Sequence, residues 1–270
     1  MKPCISEATT MPCTFVEDVE ACAAAGATGL EVWLTKLENA VAEAPAGDLR
    51  KLVADRGLAL AAASYQGGLL LAQGEARATH FDHFKRRLNL CQEFGIDTML
   101  LVADFAQQVA SIDLERAVVS LKQAAQWAAG FGVRLALEFR GSDTFCACLD
   151  TALQITRHCQ EPNVGINFDV FHYYKGPSKL EDLDLLTKDD LAFVQLCDVA
   201  GVPRELMSDA DRVLPGDGDF QLAPIVDRLR KIGYNGWVSL ELFNPMLWQS
   251  KPTQVAELGL SALRRVIEAK

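Results

Sequence analysis

Four short apolar runs in the second half of this 270-residue chain each carry a hydrophilic side chain at or near their end. They are Leu135-Ala-Leu-Glu138, Ile166-Asn-Phe-Asp169, Val194-Gln195-Leu-Cys-Asp198 and Val238-Ser-Leu-Glu241, and His172 follows three residues after Asp169. Taken singly, a strand-end carboxylate faces water or caps a helix, His172 is a satisfied loop histidine, and Gln195 bonds a neighbouring strand. Taken together they point elsewhere, because converging carboxylates repel and are costly to bury unless a cation neutralises them. Three carboxylates and one amide oxygen around a divalent ion leave a net charge of about −1. Such a site suits proton removal from a carbon next to a carbonyl. The metal grips the carbonyl oxygen and a neighbouring hydroxyl as a Lewis acid, stabilising the developing enediolate, and a carboxylate takes the proton. Return of the proton to the other face gives epimerisation, return to the adjacent carbon gives isomerisation, and loss of a β-hydroxyl gives dehydration.

For these side chains to meet, their runs must be parallel strands opening at one end. The chain alternates short apolar runs with longer helical patterns, as a parallel sheet wrapped by helices requires. Strands are expected at Cys4 to Thr9, Gly29 to Leu34, Leu58 to Tyr65, Thr98 to Ala103, Arg134 to Phe139, Val164 to Asp169, Phe193 to Cys197 and Trp237 to Leu242. Helices are expected at Val16 to Ala25, Asp48 to Arg56 behind an Asp cap, His80 to Phe94, Leu114 to Ala129, Phe145 to Cys159, Leu222 to Ile232 and Thr253 to Ala269. Between the sixth and seventh strands only Leu180 to Leu191 is available, short and acidic. Eight strands close a single (β/α)8 TIM barrel, whose active site lies at the C-terminal ends of the strands. No linker or composition shift divides the chain, so residues 1–270 read as one domain.

Half the residues are hydrophobic and 23% are charged, enough for a sizeable core. The net charge of −10 disfavours nucleic acid as a partner. Met1 to Thr10 lack a basic start followed by an apolar run, and no stretch has the roughly 18 apolar residues of a membrane helix, so a soluble cytoplasmic protein is expected. The eight cysteines are scattered; Cys146 and Cys148, the close pair, lack a zinc-knuckle or thioredoxin-like gap. They read as reduced, small apolar side chains.

At these residues the chain resembles the xylose isomerase-like superfamily of sugar isomerases and epimerases, with ketose 3-epimerase, inosose dehydratase and 3-dehydroshikimate dehydratase members. The carriers are Leu135-Ala-Leu-Glu138, Asn167-Phe-Asp-Val-Phe-His172, Phe193-Val-Gln-Leu-Cys-Asp198, Leu214-Pro-Gly-Asp-Gly-Asp219 and Gly233-Tyr-Asn-Gly-Trp-Val-Ser-Leu-Glu241. The resemblance runs over essentially the whole chain and is strongest from Arg134 onwards. It implies a site for Mn²⁺, Mg²⁺ or Co²⁺ made by Glu138, Asp169, Gln195 and Glu241, with Glu138 and Glu241 also serving as the acid/base pair. It implies that His172 touches substrate oxygens. Many members carry histidine where this chain has Gln195. An all-oxygen donor set favours Mg²⁺ or Mn²⁺ over Zn²⁺, and glutamine at this place also occurs in proteins similar to 3-dehydroshikimate dehydratases.

The reading that follows is a divalent-metal-dependent sugar or ketose isomerase or epimerase, with dehydration of a cyclic keto-polyol as the alternative. Glu31 on the second strand could bond substrate hydroxyls or pair within the core. Arg204 and Arg212 could bind a substrate oxygen or carboxylate, or lie at the surface. Pro215 to Asp219 looks like a calcium loop but lacks the remaining ligand spacing, so turn chemistry explains it better. Trp33, Tyr65, Phe105, Phe171 and Trp248 could wall the pocket or belong to the core. With no phosphate cradle in the sequence, the expected substrate is an unphosphorylated carbohydrate or cyclic polyol, and copies of the chain could pair. A zinc-cluster DNA-repair nuclease needs several histidines at the strand ends, whereas His80, His83 and His158 fall in predicted helices. A non-catalytic binding barrel would not need glutamates on both the fifth and eighth strands.

Overall fold

The computed structural model describes residues 1–269. In chain order its first half comprises β1 (Lys2–Ser6), α1 (Phe15–Ala24), β2 (Gly29–Trp33), α2 (Leu34–Glu43), α3 (Ala46–Asp55), β3 (Ala59–Gln66), α4 (Gly74–Phe94), β4 (Thr98–Val102) and α5 (Ser111–Ala129). The second half comprises β5 (Arg134–Glu138), α6 (Leu149–Cys159), β6 (Val164–Asp169), α7 (Val170–Lys175), β7 (Leu191–Leu196), β8 (Asp198–Val199), β9 (Arg212–Val213), α8 (Leu222–Lys231), β10 (Trp237–Leu240) and α9 (Pro252–Glu268). Among the described residues, eight strands close into a barrel in the order β1-β10-β7-β6-β5-β4-β3-β2, the expected (β/α)8 fold.

Several boundaries differ from expectation for local reasons. Residues Glu7–Thr10 form a 3-10 turn capped by Ser6 rather than the end of a strand. Leu34–Glu43 is a helix that the apolar run Leu30 to Leu34 concealed, since its cap position, Trp33, offers no side-chain bond. Asp48 lies inside the first turn of α3, behind Pro45, instead of capping it. The stretch after β6 divides into short α7 and a 3-10 segment, Leu180–Leu185, instead of one helix from Leu180 to Leu191.

The chain divides into two compact units, Met1–Ala63 with Val194–Lys270, and Ser64–Phe193. In the first, β1 lies between β10 and β2, and β10 pairs with β7, all in parallel register. Helix α1 opens with a capping box in which Thr14 and Glu17 satisfy each other's backbone amides. Helix α9 approaches β10 closely: a Cβ on Gly259 would collide with the side chain of Leu240. In the second unit β5 lies between β4 and β6, with Glu138 level with Val102 and Asn167. All eight cysteines are free thiols and six are buried, as small apolar side chains would be.

Candidate active site

In the second unit β5 ends on Glu138, β6 ends on Asp169, and α7 starts at once and carries His172 on its first turn. The register sets Glu138 beside Asn167, whose Nδ2 donates to Glu138 Oε2 at 2.9 Å. Period-two alternation then brings Asp169 to the same side as Asn167. Asp169 caps α7, accepting from Phe171 N at 2.8 Å, and this turns the helix so that His172 folds back over both carboxylates. His172 Nε2 stands 3.2 Å from Glu138 Oε1 and 3.7 Å from Asp169 Oδ2. All three side chains are buried, and His172 Nδ1 is buried without a hydrogen-bond partner. Burial pushes the Glu138 carboxyl up, but the hydrogen bond and charge of His172, the charge of Arg140 and the amide of Asn167 outweigh it. The net result is a pKa below the ordinary glutamate value.

These three residues could hold a metal ion, each offering a donor atom within 4.8 Å of the others. Metal–ligand bonds near 2.1 Å place neighbouring donors roughly 3.0–3.4 Å apart, so the separations found here suit a modest contraction around a small divalent ion.

In the first unit the register carries one side of the sheet through Gln195, Ser239, Cys4, Ser6 and Glu31 in neighbouring strands. Glu241, two residues beyond Ser239, returns to that side. Gln195 spends both amide hydrogens on carboxylates, donating to Glu31 Oε1 at 2.8 Å and to Glu241 Oε1 at 2.7 Å. Glu241 Oε2 lies 3.0 Å from Arg212 Nη1, and Arg212 itself is 1% exposed. The loop that delivers Arg212 is held by Asp198, which accepts from Gly216 N and Phe220 N at 3.0 and 2.9 Å. Residues 215–219 thus wrap onto a protein carboxylate, in keeping with a turn.

Glu138, Asp169 and His172 come together in one unit, and Glu31, Gln195 and Glu241 in the other. Glu31 pairs with Gln195, the core-pairing outcome. Arg204 is exposed in a turn, while Arg212 is the buried arginine on Glu241. Phe105 and Phe171 are core, Trp33 packs edge-on against Phe243 at 5.7 Å, Trp248 donates to Ala8 O, and Tyr65 is exposed. His80, His83 and His158 lie in α4 and α6 as expected. Asn167 and Arg140 had not been singled out. Asn167 carried a signal, since a polar residue two before Asp169 in a buried strand shares its side.

A family model described as xylose isomerase-like TIM barrel matches residues 19–266. The chain is 30% identical over 171 residues to an inosose isomerase of Bacillus licheniformis, covering 61% of this chain and 60% of that protein's length. It is 28% identical over 235 residues to a 3-dehydroshikimate dehydratase of Pseudomonas aeruginosa, covering 86% of this chain and 36% of that protein. A crystal structure of the IOLI protein with a bound zinc atom superposes with a TM-score of 0.94 at 24% identity, over 99% of this chain and 98% of that one. Among the described residues no helix is long and apolar enough to cross a membrane.

Proposed function

This chain belongs to the xylose isomerase-like TIM-barrel family, and from that membership we propose that it is a divalent-metal-dependent isomerase or epimerase of a sugar or cyclic polyol ketone. The observation that carries the reading is the buried cluster of Glu138, Asp169 and His172, two carboxylates gathered on one imidazole. Glu138, Asp169, Gln195 and Glu241 are the proposed ligands of Mn²⁺ or Mg²⁺. The amide of Gln195 is tied through its nitrogen to Glu31 and Glu241. A bound divalent ion supplies Lewis-acid polarisation of the substrate carbonyl.

The chain's own groups do the proton work. Glu138 is kept ionised by His172, Arg140 and Asn167, the state a base needs before it accepts a proton from carbon. Asn167 fixes one oxygen of that carboxylate. Glu241, held by Arg212 and Gln195, is the proposed second carboxylate and returns the proton from the opposite face. His172 presents an N–H to a substrate oxygen and shields the pair from water. Dehydration of a cyclic keto-polyol is the second reading, favoured by Gln195 and by the dehydratase relative.

Both readings start with a carbon-bound proton exchanging with solvent. The test incubates the Mn²⁺-loaded protein in deuterated water with ketoses, inososes and dehydroshikimate. Deuterium in recovered ketone supports isomerase or epimerase chemistry, and a new conjugated-enone or aromatic absorbance supports dehydration. Neither signal from any compound, with metal bound, would sink the enolisation mechanism.

A further inference from the structure

Arg140 lies two residues beyond Glu138 in Leu135-Ala-Leu-Glu-Phe-Arg140. Between them Phe139 packs edge-on against Phe168 of β6, ring centroids 6.2 Å apart, while Glu138 meets Asn167 on the other side. Alternation therefore returns Arg140 towards the Glu138 side, and its charge acts on both Glu138 and Asp143.

The backbone at Arg140 is pinned. Its N–H donates to Cys146 O at 3.1 Å, and its carbonyl accepts from Asp143 N at 2.9 Å. The same loop rests on the helix that carries His172. A Cβ on Gly141 would stand 2.7 Å from His172 O, and one on Gly176 would collide with Ala147 O, so the two segments meet backbone to backbone.

The side chain is a different matter. Arg56, Arg157 and Arg212 each close on a carboxylate. Arg140 is half-buried, its Nε is buried with no hydrogen-bond partner, and among the described residues its guanidinium enters no ion pair. Buried donors are ordinarily satisfied. A cation with donors left over, on a fixed backbone beside the Glu138 cluster, is therefore built to meet something that arrives.

We propose that Arg140 recognises the substrate, selecting one that carries a carboxylate on a carbon other than the one that loses its proton. This rests on the enolisation reading above and names its substrate class. A planar guanidinium fork matches a carboxylate in two parallel charge-assisted bonds, whereas a sugar hydroxyl would leave its charge uncompensated. The same fork can take a phosphate, but one guanidinium balances the single charge of a carboxylate and not the roughly −2 of a phosphate.

The test uses the full chain loaded with Mn²⁺ and two six-membered-ring polyols, quinate, which bears a carboxylate, and myo-inositol, which has none. Calorimetric titration of the wild type is expected to give quinate at least about tenfold tighter binding. Arg140→Met should bring the two ligands within about threefold of each other, and Arg140→Lys should keep part of the preference. Matching melting temperatures separate lost recognition from a folding defect. The proposal is overturned if the wild type fails to bind quinate, if it shows no preference, or if Arg140→Met keeps the preference. Solvent-deuterium exchange into an uncharged inosose reads the enolisation separately. Exchange without carboxylate preference removes only the role of Arg140, and preference without any exchange removes only the enolisation.

Discussion

Two buried clusters in this molecule are assembled from nearly the same parts and come out opposite in character. At one, the Asp18 carboxylate and the Glu7 carbonyl meet the amine of Lys36, with the Glu7 carboxyl buried nearby; at the other, Glu138 and Asp169 meet the imidazole of His172. Lys36 spends its three hydrogens on Glu7 O at 3.0 Å, Thr10 O at 2.9 Å and Asp18 Oδ2 at 2.6 Å. Asp18 accepts from the Thr10 hydroxyl at 2.6 Å, and Glu7 Oε2 from Trp33 N at 2.6 Å. The amine of that cluster is fully spent, although Glu7 Oε1 is buried without a partner, and it ties the Glu7–Thr10 turn to α1 and α2. The His172 cluster shares one nitrogen between two carboxylates and leaves the other nitrogen unsatisfied. Carboxylates in proximity do not make a site. What distinguishes one is whether the basic partner has donors still to give.

The protonation states diverge for the same reason. Burial and the neighbouring charge of Asp18 push Glu7 well above the ordinary carboxylate range despite Lys36. Burial also pushes Glu138 up, but there the surrounding donors win and the carboxyl stays low. A raised acid binds more protons folded than unfolded, so Glu7 costs stability as pH rises from the ordinary glutamate value towards its own. A lowered acid does the reverse. Glu138 contributes stability above the ordinary value and loses it as pH falls through its lowered one.

The contrast can be broken experimentally, most severely at the open cluster. Glu138→Gln is expected to slow solvent-deuterium exchange into a ketone substrate by about 10²–10⁴-fold, with some loss of melting temperature at neutral pH, where the ionised carboxylate contributes stability. Retained exchange would mean that the open cluster is as inert as the closed one. Lys36→Met should act on stability instead, costing about 3–5 kcal/mol in urea unfolding because the buried Asp18 carboxylate loses its cation. A loss under about 1 kcal/mol would show that the closed cluster is not held by charge. Glu31→Gln should weaken Mn²⁺ binding about 10–100-fold in calorimetry, by loosening the amide of Gln195. Unchanged affinity would remove Gln195 from the proposed ligands. The mildest test is Glu7→Gln, which mimics the protonated acid. As pH rises above the ordinary glutamate value the wild type should lose up to about 1.4 kcal/mol of stability per pH unit relative to this variant. Parallel curves would contradict the raised Glu7.

Much of this was legible from residue order alone. The strand Val164–Asp169 was read to the residue, because a β-branched and apolar run between a Pro-Asn turn and an Asp cap has little alternative. Glu138, Asp169 and His172 were picked out by their place at strand ends. The first boundary and helix α2 were misread, because Leu34 continues the apolar run of β2 and nothing in its cap position announces a helix. Arg140 went unmarked because an arginine just past a strand is, as sequence, indistinguishable from a solvated one. The catalogue of acids and bases, the strand ends they occupy and the parallel architecture all follow from composition and period, which are local properties of the chain. Which of those groups have exhausted their hydrogen bonds is not local. Lys36 is quenched by two carbonyls and a carboxylate from two other segments, while Arg140 keeps a buried Nε that no segment bonds, so the difference between scaffold and site exists only once distant segments have packed.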